Sequence, residues 1–366
     1  MLRNALTFKH VEHDPEGESR ILLFNTLFPN EPIENLHKRW LSLSLRKDHL
    51  TSQQLDTFKS FIMRRCQYEP IEYITGRVNF FGRQFQVNKH VLIPRVDSEV
   101  MIEAVMKRMN EFLKESSSSP TLHQDGINIV ELGVGSGCLI LTLLLELEKA
   151  NIKVNRAIGL DKSSEALQIT SLNAQLLLPA HLRNKLILKE HDMLHDEFNP
   201  EEWLSDDSKL LRTNTSNKHT NIHDDSKTTY SFTHLLISNP PYIPSQVVLE
   251  ELDKDVSLYE PHLALDGGQD GLMFYRFLLS EETMEKYRFH PSSLMALELG
   301  FDQAPVIMKQ ILGNHWRNIP NTTEALDAKD YMFESKSGSN FKVELEKDLN
   351  NFDRILLVMT QERTEL

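Results

Sequence analysis

One stretch of the chain could do chemistry by itself. Ser238-Asn239-Pro240-Pro241-Tyr242 follows the apolar run His234-Leu235-Leu236-Ile237, which reads as a buried parallel strand. Two prolines cannot continue a strand, and they remove two backbone donors. What remains is a stiff turn whose free groups accept hydrogen bonds, the Asn239 side-chain oxygen and the Pro240 carbonyl. Two fixed acceptors suit a planar NH2 group, which has two donors to satisfy. Tyr242 adds a flat face on which an amide or a base can stack. Asn-Pro and Pro-Pro also mark ordinary strand-end turns, so the stretch gains meaning only from its surroundings.

A second group of residues supplies those surroundings. Glu131-Leu132-Gly133-Val134-Gly135-Ser136-Gly137 ends a short apolar strand and precedes a helix from Cys138 to about Lys149. Three glycines at alternate positions let the backbone turn tightly and approach a ligand closely. The spacing G-x-G-x-G is neither the phosphate-binding Walker pattern nor the dinucleotide fingerprint. The next strand, Arg156 to Leu160, ends at Asp161, an acid placed to accept both hydroxyls of a ribose. Asp161 equally suits the cap of a helix starting near Ser163. A third strand from Leu186 ends near Asp192 and Met193. Asp192 could meet an adenine amino group while Met193 lies on the ring, and core packing explains Met193 equally well.

These residues need a scaffold that brings strand ends together. Strands alternate with helices from Ile129 onward, which predicts an α/β, doubly wound parallel sheet with its ligand at the carboxyl ends of the strands. Residues 1–75 read as a small helical domain, with helices at 19–28, from Ile33 to about Leu45, and at 52–62. Residues 76–93 read as a β-hairpin connector around Gly82, and residues 94–366 as the ligand-binding domain. A helix follows from Asp97 to about Leu113. Later elements are a helix from Leu272 to about Tyr287, a strand at 294–299, a helix from about Asp302 to Leu312, and a closing strand at 353–359. Residues 205–230, rich in Asp, Ser, Asn, Thr and Lys, read as a disordered insertion.

Composition narrows the function classes. The chain has 366 residues, 40% hydrophobic content and a formal net charge of −13. So acidic a chain is a poor grip on duplex DNA, and stable nucleic-acid binding is not expected. Its two cysteines, Cys66 and Cys138, lack metal-ligand spacing and form no disulfide framework. No metal site and no membrane span are expected. The first ten residues carry Arg3 and Lys9 and no acid, but Glu12, Asp14, Glu16 and Glu18 follow at once.

The glycine motif resembles the first motif of class I S-adenosylmethionine methyltransferases. Asn239-Pro240-Pro241-Tyr242 resembles the motif of those that methylate a planar nitrogen. More narrowly, the chain resembles the HemK/PrmC family, the protein-glutamine N5-methyltransferases of peptide release factors. The likeness also rests on Glu69–Gly76, Val91–Arg95, Tyr259-Glu260-Pro261, Gly267-Gly268, Asp270-Gly271-Leu272, Glu298-Leu299-Gly300 and Asp348–Arg354. It departs at Val96, at Asp97-Ser98-Glu99 and at Met193.

The resemblance implies a Rossmann-like class I fold with S-adenosylmethionine as cofactor. Glu131, Gly133, Val134, Gly135, Ser136, Gly137, Asp161, Asp192, Met193 and Asn239 would bind it. Asn239, Pro240, Pro241 and Tyr242 would hold the acceptor. The implied substrate is the glutamine of a Gly-Gly-Gln tripeptide in a class I release factor, recognised by the helical domain. Mitochondrial localisation and a monomer are expected. The competing readings are an adenine-N6 nucleic-acid methyltransferase, whose exocyclic amine presents the same planar NH2, and a degenerate, non-enzymatic binding factor.

Overall fold

The computed structural model describes residues 14–31, 35–36, 38–39, 49–115, 126–198, 233–287, 289–313, 317–318, 330–334 and 340–361. The basic N-terminal stretch, most of the helix expected from Ile33, and the polar stretch 205–230 lie outside them.

The N-terminal region is helical. Helix α1 (Pro15–Leu27) starts behind Asp14, whose side chain accepts from the Glu16 N–H. Helix α2 (Ser52–Arg65) starts with a capping box, in which Thr51 and Gln54 each accept from the other's backbone N–H. Arg65, buried, ties the two helices through Glu18 at 2.9 Å. Helix α3 (Ile71–Thr75) ends at Gly76, whose φ of 74° is the left-handed stop that glycine supplies.

Strands β1 (Arg77–Phe80) and β2 (Arg83–Gln86) form the hairpin expected around Gly82. Phe81 and Gly82 both have positive φ, as a two-residue hairpin turn demands. A 3-10 turn (Val96–Ser98) leads into helix α4 (Glu99–Glu115).

The large domain is built on one nine-stranded sheet. Its strands are β3 (Ile127–Leu132), β4 (Val154–Asp161), β5 (Leu186–Glu190), β6 (Thr233–Ser238), β7 (Phe289–Glu298), β8 (Arg317–Asn318), β9 (Asp330–Glu334), β10 (Asn340–Lys347) and β11 (Asp353–Gln361). They lie in the order β5-β4-β3-β6-β7-β11-β10-β9-β8. The five strands from β5 to β7 are parallel. Helix α5 (Cys138–Lys149) follows β3, and helix α6 (Ser164–Leu177) follows β4. This is the expected doubly wound α/β architecture, with one correction to the expected parallel sheet. Strand β11 runs antiparallel to β7, and β10, β9 and β8 continue antiparallel beyond it. The turn between β10 and β11 is too short for a parallel crossover, which needs a dozen residues or more.

Both faces of the sheet are covered, so its central strands read as unbroken apolar runs. Successive side chains go to opposite layers. Ile129, Leu235 and Ile237 face the core under α4 and α5. Val130, Leu132 and Leu236 face the other core, beside Tyr275 and Ile307.

The expected helix from Leu272 to Tyr287 is two helices, α10 (Met273–Leu278) and α11 (Glu281–Lys286), after α7 (Ala180–Arg183), α8 (Ser245–Glu250) and α9 (Lys254–Tyr259). Ser280 breaks it: its Oγ donates to the Phe277 carbonyl and accepts the Thr283 N–H, acting as a cap. The expected helix from Asp302 is a short α-turn (Ala304–Val306) running into a π-helix (Ile307–Leu312).

Candidate active site

The strand order reverses between β3 and β6. In open α/β sheets such a switch point leaves a crevice outside the carboxyl ends of the strands. Here the crevice is a cavity of about 760 Å³. That is within the range of small-ligand and cofactor sites. Glu131, Gly133–Ser136, Asp161, Asp192, Met193, Asn239 and Pro241 all line it. Gly137, Pro240 and Tyr242 do not.

The glycine loop is held from three sides. Gly133 and Val134 donate to the Leu160 carbonyl at 2.8 and 2.9 Å, which stitches the loop to the end of β4. Asp161 Oδ2 accepts the Gly135 N–H at 2.8 Å. From helix α6, Thr170 Oγ1 donates to the Gly135 carbonyl and Asn173 Nδ2 to the Ser136 carbonyl. Gly137 sits at φ 80°, and a Cβ there would stand 2.7 Å from Thr170 Cγ2. It shapes the loop from behind and does not touch the cavity.

Asp161 has a second task. Its Oδ1 accepts the Ser163 N–H at 2.9 Å. The cap of α6 is nevertheless Ser163, whose Oγ accepts from Ala166. Each Asp161 oxygen keeps a further lone pair, so the carboxylate can still accept from hydroxyls in the cavity. Burial raises its pKa, against the backbone donors of Ser163 and Gly135.

Glu131 is 1% exposed. Its Oε2 accepts the Ile140 N–H at 2.9 Å, a donor that the side-chain-less cap Gly137 leaves open. The carboxylate thus sits at the positive end of α5 and also at the cavity wall. Burial pushes its pKa well up. A cation entering the cavity would relieve that desolvation.

Asp192 is already engaged. Its carboxylate accepts from Lys162 Nζ and His195 Nδ1, both at 2.9 Å, and from the Leu194 N–H. Burial raises its pKa, but Lys162 and His195 outweigh this and bring it down to about 2. The Met193 methyl lies 3.8 Å from where a Gly133 side chain would begin, so Met193 forms one wall above the loop and also borders a core.

The acceptor turn closes the other end. Ser238 Oγ donates to the Leu132 carbonyl at 2.7 Å. Gln303 Nε2 donates to the carbonyls of Tyr242 and Gly271 at 2.9 and 3.2 Å. Behind the turn, Gly267 donates to Ile243 while a Cβ at Gly267 would stand 2.8 Å from the Pro241 carbonyl, so only glycine fits. Asn239 Nδ2 lies 3.3 Å from Ser98 Oγ. Among the described residues no donor reaches the Asn239 side-chain oxygen or the Pro240 carbonyl.

Tyr242 differs from the expectation of a stacking face. Its ring borders the second core, and its hydroxyl stands 3.5 Å from Glu298 Oε1. Burial raises its pKa.

Several residues of the site were not among the expected ones. Arg95 lines the cavity and pairs with buried Glu260, which also accepts the Ile93 N–H. This clamps the segment 91–95 over the cavity. Thr170 and Asn173 are fully buried polar side chains three apart on one helix face, which is the only sign of them in the sequence. Ser98 meets Asn239 and Glu298 meets Tyr242; both lie in segments whose link to the site came only through the family resemblance.

Comparison with known proteins identifies the family. Residues 35–76 match the PrmC N-terminal domain. The chain is 33% identical over 258 residues to the release factor glutamine methyltransferase of Caulobacter vibrioides, covering 70% of each. It is 28% identical to that of Thermodesulfovibrio yellowstonii, over 87% of this chain and 86% of that one. It is 31% identical to a bifunctional methyltransferase of Rickettsia typhi, over 87% of this chain and 53% of that one. The chain thus spans about half the length of that bifunctional relative.

Proposed function

The chain belongs to the release factor glutamine methyltransferases, and from that premise we propose that it transfers a methyl group from S-adenosylmethionine to the side-chain amide nitrogen of a glutamine. The acceptor is the Gly-Gly-Gln glutamine of a class I peptide release factor. The observation that carries this reading is Asn239, whose side-chain oxygen no donor reaches among the described residues, on the wall of a cavity whose other wall is the glycine loop; the Pro240 carbonyl, likewise unengaged, follows it in the turn.

The residues present fit the cofactor. The left-handed glycines allow close backbone approach, Asp161 offers lone pairs for ribose hydroxyls, and Glu131 is a buried carboxylate in need of a cation. Once bound, S-adenosylmethionine supplies an electrophilic methyl on a sulfonium.

The acceptor needs positioning more than it needs a base. An amide nitrogen is a poor nucleophile because its lone pair is delocalised into the carbonyl. Asn239 and Pro240 would each accept one N–H and so hold the nitrogen in line with the methyl. Fixed acceptors also favour the positive charge that grows on nitrogen during transfer. In the transfer the amide nitrogen would gain the methyl as the S–C bond of the sulfonium is lost, and one amide proton would leave to water. Positioning of this kind can supply much of the barrier reduction.

The same reading extends to the helical region as the part that recognises the release factor body, to mitochondria as the compartment, and to a monomer. The PrmC N-terminal match over residues 35–76 supports the first. The deciding experiment is mass spectrometry of a mitochondrial release factor incubated with the protein and S-adenosylmethionine. A gain of one methylene on the Gly-Gly-Gln peptide is expected. No gain there, with gain on a cytosolic release factor, would reject the compartment. No gain on either would reject the acceptor.

A further inference from the structure

The 3-10 turn before α4 is tied at two adjacent residues to the strand ends that carry the acceptor turn. Ser98, buried, meets the Asn239 amide at 3.3 Å, just past β6. Asp97 pairs with Arg354 of β11, also at 3.3 Å. These two points sit on neighbouring strand ends. Ser238 and Leu297 are partners in the ladder between β6 and β7. Beyond β7, Arg354 Nη1 donates to the Leu299 carbonyl at 3.0 Å, and the Leu299 N–H donates to the Arg354 carbonyl at 2.8 Å.

Arg354 does not need Asp97 for its own place. Its Nε and Nη2 donate to buried Asp348 at 3.1 and 2.9 Å, and Asp348 in turn accepts the N–H groups of Asn350 and Phe352. The guanidinium is thus a fixed post. The Asp97 side chain is 39% exposed, and ion pairs on such exposed groups contribute little to stability. What the pair can do is place the turn. The neighbouring ties run elsewhere, from Arg95 to Glu260 and from Glu99 to the Phe81 N–H of the hairpin. Among the described residues Ser98 is the one hydrogen-bond partner of the Asn239 side chain, and 3.3 Å is already long for such a bond. A small drift of the turn breaks it.

We infer that Asp97 is a positioning residue: anchored by Arg354, it keeps Ser98 against the Asn239 amide, so that the Asn239 oxygen stays aimed at the acceptor. The inference rests on the reading of Asn239 as the acceptor for the amide to be methylated. Without the restraint, the Asn239 amide turns about its side-chain bonds and its oxygen leaves the line of transfer in part of the molecules. No group of the cavity is lost; only the fraction of time that Asn239 is aimed falls. The loss therefore appears in kcat, while the glycine loop keeps its own ties and its cofactor.

The test measures methyl transfer from S-adenosylmethionine to a class I release factor by Asp97→Ala, Asp97→Asn, Ser98→Ala and the double variant Asp97→Ala/Ser98→Ala. Asp97→Ala, Asp97→Asn and Ser98→Ala each lower kcat by about tenfold, and leave KM and cofactor affinity nearly unchanged. The double variant is no slower than the slower single one, because the two residues act in series. Asp97→Glu, which keeps the charge and can still reach Arg354, recovers most of the rate. In parallel, the Asn239 side-chain amide is followed by NMR in the isotope-labelled full chain, with its signals assigned by their loss in Asn239→Ala. They move in Asp97→Ala toward their positions in Ser98→Ala, and in Asp97→Glu they stay near wild type. Wild-type kcat in Asp97→Ala and Asp97→Asn, losses that multiply in the double variant, or Asn239 signals unchanged by Asp97→Ala each overturn the inference. Asn239 signals that move as expected in a chain that leaves the release factor unmethylated reject the proposed acceptor and keep the positioning role.

Discussion

Ser238 Oγ donates to the Leu132 carbonyl at 2.7 Å, which fastens the strand leading to the acceptor turn to the strand leading to the glycine loop. Ser238 is fully buried, and Ile237 and Glu131 are neighbours in the parallel ladder just before this point. The ladder fixes the spacing of the two strands and this hydroxyl extends it to their ends, where the two halves of the site begin.

Ser238→Ala removes that fastening without changing any group in the cavity. The lost bond, which leaves a buried carbonyl short of a donor, costs about 1–3 kcal/mol of stability. The expected kinetic signature is a lower kcat with cofactor affinity preserved, since the glycine loop keeps its other ties. Calorimetric cofactor titration beside steady-state rates checks this. A variant with an unchanged kcat would show that the bond is structural only.

Gly137→Ala tests the loop from behind. The new methyl needs a left-handed backbone and meets Thr170 Cγ2 at 2.7 Å. Strain of this kind costs about 1–3 kcal/mol. Because Thr170 also holds the Gly135 carbonyl, the displacement reaches the cofactor site, and cofactor affinity should fall together with thermal stability. Thr170→Ser in the same background makes room by removing the methyl while keeping the hydroxyl, and should recover part of both. No recovery would place the damage in the backbone conformation alone.

Asp192 sets an acid limb on stability. Its folded pKa is about 2. An unfolded Asp titrates near pH 4, at about 3.9. A depressed pKa means that the contribution is present above the unfolded value and is lost as pH falls through the folded one. The stability difference between wild type and Asp192→Asn should thus be constant above about pH 4 and close toward pH 2. Denaturant midpoints across that range measure it. A gap that does not change with pH would mean that Lys162 and His195 do not hold the carboxylate.

The central sheet and the glycine loop were legible because burial on both faces turns strands into plain apolar runs. The direction of β11 was not: Ile355-Leu356-Leu357-Val358 reads the same either way, and only its partner β10 makes it antiparallel. β10 itself alternates Phe341, Val343 and Leu345 with charged residues, the period-two pattern of a strand. Glu344 on it is buried beside Arg108, so its outward face is not simply solvated. Of the site, the strand-end residues announced themselves by type. Thr170, Asn173, Ser98 and Glu298 did not, because a polar residue that serves other polar groups carries no spacing signature. Tyr242 departs from the expected stacking face for a related reason. An aromatic after a proline turn can face a ligand or the core, and only the position of Glu298 shows that its hydroxyl points inward.

Asn239 offers the most direct test of the proposed chemistry. Asn239→Ala removes an acceptor and the long contact with Ser98, but keeps the ties that Ser238, Tyr242 and Gly267 make. Cofactor affinity should therefore stay close to wild type, while methyl transfer falls by roughly 100-fold or more, as when a preorganised charge-stabilising group is lost. Asn239→Asp separates geometry from charge. It keeps both acceptor positions but replaces the donor that faces Ser98 with an oxygen. The Asp variant should transfer faster than Asn239→Ala, because an acceptor remains, and more slowly than wild type, because its contact with Ser98 is changed. Equal activity in the Ala and Asp variants at every pH would mean that the side chain only fills space. Full activity in Asn239→Ala would remove Asn239 from the mechanism and leave the Pro240 carbonyl as the acceptor.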